Sequence, residues 1–178
     1  MNATTDIELM RQLKAGSEAA FRELVERYRE PLYRLSVSLL LDRMAADDAV
    51  QETFIRLWTR VRRYHPRYTV RTWLYTICVR RCYDELRRRR RHREAVEALP
   101  TDGVDVNRME ADELLMLLQR VTVQLPPRQR VVYQLRELDG FSAEETSATT
   151  GMSLEQVKAN LWAARNTVKE KLKQYGVQ

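Results

Sequence analysis

The chain has few of the residues that end regular structure, because its 178 residues include only five glycines and five prolines. Aromatic residues make up 8% of the sequence, so a core must be built mostly from Leu, Val and Ala. Long stretches carry apolar residues at the 3.6-residue spacing of a helix that buries one face. The sequence therefore predicts an all-α fold.

Cysteine is also scarce, and the two that are present lie four residues apart on one predicted helix. Disulfide geometry is poor between such positions, so Cys78 and Cys82 are expected to be buried free thiols. A metal site would need two further ligands, but His65 falls in a predicted loop and His92 near a helix end. We expect neither a metal nor another cofactor.

Long apolar runs are missing as well. No stretch approaches the ~18–20 apolar residues that span a bilayer. The N-terminal residues carry early acidic side chains and lack the apolar segment of a secretory signal. The sequence predicts a cytoplasmic protein without membrane insertion.

Positive charge is concentrated in residues 60–94, which hold thirteen arginines and three carboxylates although the whole chain is only +6. A helix is predicted here from Thr69, as N-cap, to about Arg91. One of its stripes is apolar and should be buried: Val70, Trp73, Leu74, Ile77 and Cys78. A second stripe should be exposed: Thr72, Thr76, Arg80, Tyr83 and Arg87.

Hydroxyl, guanidinium and aromatic groups along one stripe are typical of surfaces that contact phosphates and stack on bases. The run Arg87–Arg91 alone is equally typical of a solvated helix end. Tyrosines interleaved through residues 64–83 favour a platform for single-stranded nucleic acid, because a solvated face needs no aromatic side chains.

Further helices are predicted upstream, at residues 6–15, after Ser17 and after Pro31, which should open or bend a helix. Residues 42–44 are expected to connect to a helix over residues 45–64. The exposed side of that helix carries polar residues and two large apolar ones: Asp47, Asp48, Gln51, Glu52, Ile55 and Trp58. Carboxylates in a first turn are ordinary partners of the helix dipole, but with an exposed Trp they also fit a protein-docking face. The residues alone leave both interpretations open.

Residues 96–111 contain Pro100, Gly103 and an excess of carboxylates, which predicts an acidic linker between domains 1–95 and 112–178. In the second domain, Ser142-x-x-Glu145 and Ser153-x-x-Gln156 fit the capping-box pattern at the starts of two helices. The turn at Gly151 between them predicts a helix-turn-helix.

Three segments, in this order, resemble the extracytoplasmic-function (ECF) group of bacterial sigma factors over nearly the whole chain. They are DDAVQETFIRLW (47–58), YHPRYTVRTWLYTICVRRCYDELRRR (64–89) and LPPRQRVVYQLRELDGFSAEETSATTGMSLEQVKANLWAAR (125–165). The resemblance implies a sigma-2-like helical bundle over residues 1–95 and a sigma-4-like helix-turn-helix domain over 112–178. It implies an alternative sigma factor without catalytic residues.

The resemblance also assigns roles to residues. The expected contacts with the clamp helices of core RNA polymerase are Asp47, Asp48, Gln51, Glu52, Phe54, Ile55 and Trp58. The expected −10 contacts are Tyr64, His65, Arg67, Tyr68, Thr72, Trp73, Thr76, Arg80, Tyr83 and Arg87. The expected −35 contacts are Ser153, Glu155, Gln156, Lys158, Asn160 and Arg165. The implied partners are core polymerase, through its clamp helices and flap, promoter DNA and an anti-sigma factor.

Some positions depart from the family pattern. Arg80 stands where the family commonly has Asn, and Ala159-Asn160 replaces a common Ser-Arg pair. Thr146, Thr149 and Thr150 occupy positions that are usually more apolar, which predicts a weakly packed first helix of the helix-turn-helix. Two other classes of protein fit parts of the sequence, a stand-alone helix-turn-helix regulator and an Arg-rich RNA-binding adaptor. Neither needs a polymerase-docking helix beside an aromatic loop.

Overall fold

The computed structural model describes residues 5–65, 67–95 and 113–175, and these residues form eight α-helices and no strand. In chain order the helices are α1 (Asp6–Lys14), α2 (Glu18–Leu40), α3 (Arg43–Arg60), α4 (Val70–Ala95), α5 (Glu113–Thr122), α6 (Pro127–Tyr133), α7 (Ala143–Thr150) and α8 (Leu154–Gln174). A 3-10 turn follows α3, and a five-residue π-helical turn extends α6. The predicted all-α class is confirmed, and the predicted linker, residues 96–111, lies outside the described residues.

Side-chain caps start the helices where the sequence predicts them. The Thr69 hydroxyl accepts a hydrogen bond from the Thr72 amide at 3.1 Å, at the start of α4. Both predicted capping boxes are formed, by Ser142 with Glu145 before α7 and by Ser153 with Gln156 before α8. These caps satisfy amide groups that have no partner within the helix, so the local sequence determines where each helix begins.

The sequence predictions for Pro31 and for residues 42–44 need correction. Of the two roles predicted for Pro31, opening a helix is wrong, because α2 continues through it to Leu40. Buried leucines before and after it, Leu24 and Leu35, hold both parts of α2 in one core although proline removes a backbone donor. Residues 42–44 are mostly helical, because the Asp42 carboxylate caps α3 by accepting from the Ala45 amide at 3.0 Å.

The first four helices enclose the main core. Their most deeply buried side chains are Leu24, Leu32, Leu35, Leu57, Leu74 and Cys78. The predicted state of the cysteines is confirmed, since both thiols are free and buried. The Cys78 sulfur lies 3.1 Å from the Ser36 hydroxyl of α2, which gives the core a polar contact between α2 and α4.

The second half packs against the first. A small cluster of Val121, Leu125, Ala164 and Val168 holds α5 to α8. Other apolar residues of the second half, among them Val131, Leu135 and Phe141, belong to the same buried cluster as α2 and α4. The helix α7 lies on α4 and α6 lies on α2.

Aromatic and cationic groups join the two halves at one place. The Phe141 ring lies 4.7 Å from the Tyr75 ring of α4, measured between centroids. The Arg71 guanidinium stands 4.2 Å from the centre of the Phe141 ring and donates a hydrogen bond to the Asp139 carbonyl. Burial raises the pKa of the Asp139 carboxyl to about 6.

A second arginine, Arg130 of α6, is buried where α6 meets α2. Its guanidinium donates to the Ser38 carbonyl of α2 at 2.9 Å. It also donates to the Val123 and Leu125 carbonyls at 2.6 and 2.7 Å, in the turn between α5 and α6. One cation therefore satisfies three main-chain acceptors and links the halves.

Replacing Arg130 should destabilise the protein. In Arg130→Ala these three carbonyls lose a charged donor, which we expect to lower the free energy of unfolding by about 2–4 kcal/mol. Urea unfolding followed by circular dichroism measures the change. The control is Arg128→Ala, an exposed arginine of the same helix, whose effect should stay under about 0.5 kcal/mol. Equal midpoints for the two variants would contradict this role for Arg130.

Candidate nucleic-acid and polymerase interfaces

The polar stripe of α4 is open only toward its C-terminal end. Arg80 and Arg87 are exposed and Thr76 is half-buried, but Thr72 is only 2% exposed. The Thr72 hydroxyl lies 3.5 Å from a carboxylate oxygen of Glu145, because α7 covers this part of the helix. The prediction that the whole stripe is exposed is therefore wrong at Thr72.

Tyr83 of the same stripe is half-buried. Its hydroxyl oxygen is buried and has no hydrogen-bond partner among the described residues. Burial raises the pKa of Tyr83 to about 12, and the charge of Arg128 of α6 opposes this shift. The ring thus lies at the edge of the contact between the halves, where it is only partly accessible to a ligand.

The loop before α4 contains one buried tyrosine, which supports the loop, and one exposed tyrosine. Tyr64 is buried, its ring lies 5.4 Å from that of Trp73, and its hydroxyl donates to the Tyr68 carbonyl at 2.8 Å. Burial raises the pKa of Tyr64. Tyr68 is 44% exposed, with the Arg67 guanidinium 5.7 Å from its ring centre. Tyr68 is therefore the loop ring that a base can reach.

His65 completes the described part of this loop. Its side chain is exposed, and its Nδ1 accepts from the Arg67 amide at 3.3 Å. This bond shapes the chain around the exposed Tyr68. His65 therefore holds the backbone of the loop through this hydrogen bond, and its side chain is also exposed at the loop surface.

The arginine run on α4 is partly structural. Arg88 and Arg89 each bond the Glu85 carboxylate at 2.8 Å, and these bonds hold the pKa of Glu85 at about 2. Arg89 also reaches the Asp42 carboxylate at 2.8 Å and so links α4 to the start of α3. Arg87 and Arg91 remain exposed, although Arg87 pairs with Asp84 of the same helix.

The polar face of α3 borders an apolar groove. Asp48 and Gln51 are exposed, Asp47 and Glu52 are half-buried, and Ile55 is 60% exposed. Phe54 lies below this face: it is buried, and its ring meets the Phe21 ring of α2 at 6.4 Å. The exposed Trp58 ring also packs on the Phe21 ring, with 5.2 Å between the centroids.

The groove lies between α2 and α3 and has a volume of about 720 Å³. Its α2 wall carries residues that sequence analysis did not assign to a site: Phe21, Arg22, Val25 and Arg29. Phe21 and Val25 repeat at helical spacing beside the core stripe, so the sequence alone suggests ordinary core residues. Only the packing of α2 against α3 reveals that they form one wall of an open apolar surface.

The helix-turn-helix is well formed. Gly151 ends α7 in the left-handed region, with φ 75°, which lets the chain turn directly into the Ser153 cap. Thr146 and Thr149 are fully buried, and the Thr146 hydroxyl donates to the Ser142 carbonyl at 2.8 Å. Thr146 thus satisfies its hydroxyl within the helix, whereas the buried Thr149 hydroxyl oxygen has no hydrogen-bond partner among the described residues. The expected weak packing of α7 stays a prediction.

The polar residues predicted on α8 differ in whether their side chains are free to contact a ligand or bonded within the protein. Ser153, Glu155 and Lys158 are exposed. The Gln156 side chain accepts from the Ser153 amide at 3.1 Å, and Asn160 donates to the Gln156 carbonyl at 2.7 Å. The Arg165 guanidinium pairs with Glu137 at 2.7 Å. Sequence analysis did not include Trp162 of this helix, which is 70% exposed.

Within the described ranges, no three His, Cys, Asp or Glu side chains come together in a way that could hold a metal ion. None of the helices in that part of the chain combines the length and apolar character needed to cross a bilayer.

Comparison with known proteins gives a consistent result. Residues 24–92 match the family model of sigma-70 region 2, and residues 115–168 match that of sigma-70 region 4. The chain is 34% identical to the ECF RNA polymerase sigma factor SigE of Mycolicibacterium smegmatis, over 88% of this chain and 64% of that protein. It is 29% identical to the ECF RNA polymerase sigma-E factor of Escherichia coli K12, over 94% of each chain.

A solved structure is similar over both halves. The sigma factor RpoE of Bartonella quintana, in complex with the anti-sigma factor NepR, matches with a TM-score of 0.78 and 25% identity. The match covers 86% of this chain and 96% of that one. The order of the helices, the two matched regions and these relatives agree with one another, and the chain belongs to the ECF group of RNA polymerase sigma factors.

Proposed function

We propose that this alternative sigma factor binds core RNA polymerase and directs promoter-specific initiation of transcription. Residues 1–95 dock on the polymerase and act on the −10 element, residues 96–111 connect, and residues 112–178 read the −35 element. The protein acts by binding alone and has no catalytic step of its own. Its place of action is the cytoplasm, where polymerase and promoter DNA are found.

One observation carries this proposal. The first half combines a protein-docking surface on α3 with a cationic, hydroxyl-bearing helix, α4, in one small bundle. Asp48 and Gln51 stand beside an apolar groove, which suits a polar and apolar contact with another protein. A stand-alone DNA-binding regulator needs no such groove next to its nucleic-acid surface.

The −10 surface uses the exposed part of the loop and of α4. Tyr68 offers a ring on which an unpaired base can stack, and the neighbouring Arg67 adds a cation beside it. Tyr64 and Trp73 hold the loop in place, while Arg80 and Arg87 contact phosphates. The −35 surface is the exposed side of α8, and duplex DNA is read there by a helix in the major groove.

The contact between the halves restricts the free protein. With α7 on α4, Thr72 is covered and Tyr83 is only partly accessible, whereas Lys158 on α8 stays exposed. Use of the full −10 stripe therefore requires α7 to leave α4, and we propose that binding to core polymerase separates them. The Bartonella sigma factor is bound by an anti-sigma factor, which supports the proposal that this chain has such a partner too.

Polymerase docking can be tested on α3. Asp48→Arg combined with Gln51→Ala should abolish binding to core polymerase on a sizing column and abolish run-off transcription, because it reverses the charge of the exposed face. Circular dichroism should stay unchanged, since both side chains are exposed. The control is Glu26→Arg, a charge reversal at an exposed position of α2 outside the groove. Normal core binding by the double variant would contradict the proposed docking role of both residues.

Opening can be tested in the free protein. Phe141→Ala removes the ring that packs on Tyr75 and under Arg71, and so weakens the hold of α7 on α4. Affinity for a single-stranded −10 oligonucleotide should rise about three- to tenfold, because an aromatic pair contributes about 0.5–1.5 kcal/mol beyond its buried area. Fluorescence anisotropy measures this affinity. An unchanged or lower affinity, in a variant with normal circular dichroism, would contradict the proposed opening.

The division between the −10 and −35 surfaces can be tested on pre-melted templates. Tyr68→Ala should reduce transcription from ordinary promoters, with a loss of about 1–3 kcal/mol for the missing stack. A template already open across the −10 region should restore much of this activity. Lys158→Ala acts on duplex DNA at −35 and should not be rescued. Equal rescue of both variants, or of neither, would refute the proposed division.

A further inference from the structure

The outer side of α8 is defined by the residues it buries. Val157, Leu161, Ala164 and Val168 face the core. With 3.6 residues per turn, the opposite side of the helix carries Glu155, Ala159, Trp162 and Asn166. All four are exposed, and Trp162 is by far the largest of them.

Two polar side chains that the sequence assigned to DNA reading are turned back onto the protein. Gln156 closes the capping box at Ser153, and Asn160 donates to the backbone of its own helix. Arg165 lies to one side of the outer stripe and pairs with Glu137. The amide groups of Gln156 and Asn160, a type of group that can read adenine, are thus engaged within the helix.

Trp162 is the one large apolar side chain among the four residues of the outer stripe. Its side chain is 70% exposed, and its neighbours Ala159 and Ala163 are too small to cover it. On one flank of the same helix stand the exposed cations Lys158 and Lys169. When these two lysines contact phosphates of the DNA backbone, the indole of Trp162 faces the base edges of the adjoining groove.

We infer that Trp162 reads a thymine in the −35 element through contact of its indole with the thymine 5-methyl group. This inference rests on the proposed function and deepens it by naming the base and the atom. The methyl is the only apolar group among the base edges of the major groove. An exposed indole favours this methyl group over the polar edges of the other bases.

The test removes this methyl group alone. A −35 promoter is first selected with the wild-type chain and core polymerase. Templates are then made in which deoxyuridine replaces each −35 thymidine in turn. At one position the wild-type protein should lose about fourfold in run-off transcription, as expected for one methyl group left unburied. Replacement at the other thymidines should have little effect.

Trp162→Ala should lose about five- to thirtyfold on the unmodified promoter, consistent with a base contact. Its transcription should no longer distinguish thymidine from deoxyuridine at the position found with the wild type, and Trp162→Phe should retain part of the discrimination. The control is Tyr175→Ala, an exposed aromatic residue beyond the end of α8, which should keep the wild-type ratio at every position.

Three outcomes would overturn the inference. Trp162→Ala could retain the wild-type discrimination at every thymidine. It could lose activity equally on all templates, which would indicate packing on the sugar–phosphate backbone. It could transcribe normally but fail to bind an anti-sigma factor, which would make the indole a protein contact. If the wild-type chain gives no transcript with core polymerase, the proposed function fails; transcription without any deoxyuridine effect removes only this inference.

Discussion

Burial of α4 on two neighbouring sides is the constraint on which the rest of the structure depends. Leu74 and Cys78 face the core formed with α2 and α3, and they are fully buried. Tyr75 and Thr72, on the neighbouring side, are covered by the second half of the chain. The helix α4 therefore forms the centre of the first bundle and also part of the surface against which the second half packs. Only its exposed C-terminal part can meet a ligand without a rearrangement.

Local signals in the sequence were sufficient for the helices, because caps and apolar spacing act over a few residues. The predictions from Thr69, Ser142 and Ser153 are confirmed for this reason. Pro31 does not open a helix, because packing of distant residues on both sides holds α2 together. The burial of Thr72 could not be predicted from local sequence either, since Glu145, which contacts it, lies 73 residues away in the sequence.

The surfaces were predictable where one helix carries the whole signal and not where two helices share it. The acidic face of α3 is visible in residues 47–58 alone. The α2 wall of the adjoining groove is not, because Phe21 and Val25 look like core residues until α3 is placed beside them. Side-chain direction was a further limit: Asn160 has the right spacing for a DNA contact, yet its amide bonds its own helix.

The two arginines between the halves share one chemical feature. Arg71 donates to the main-chain carbonyl of Asp139, and Arg130 to that of Ser38. A carbonyl is present whatever side chain occupies the position, so most substitutions at 38 and 139 leave the acceptors unchanged. The arginines themselves cannot be replaced without losing these bonds, because no other residue presents the same planar set of donors. Among diverging sequences these contacts can therefore persist while their acceptor positions vary, and the loss of either arginine has no compensating change across the interface.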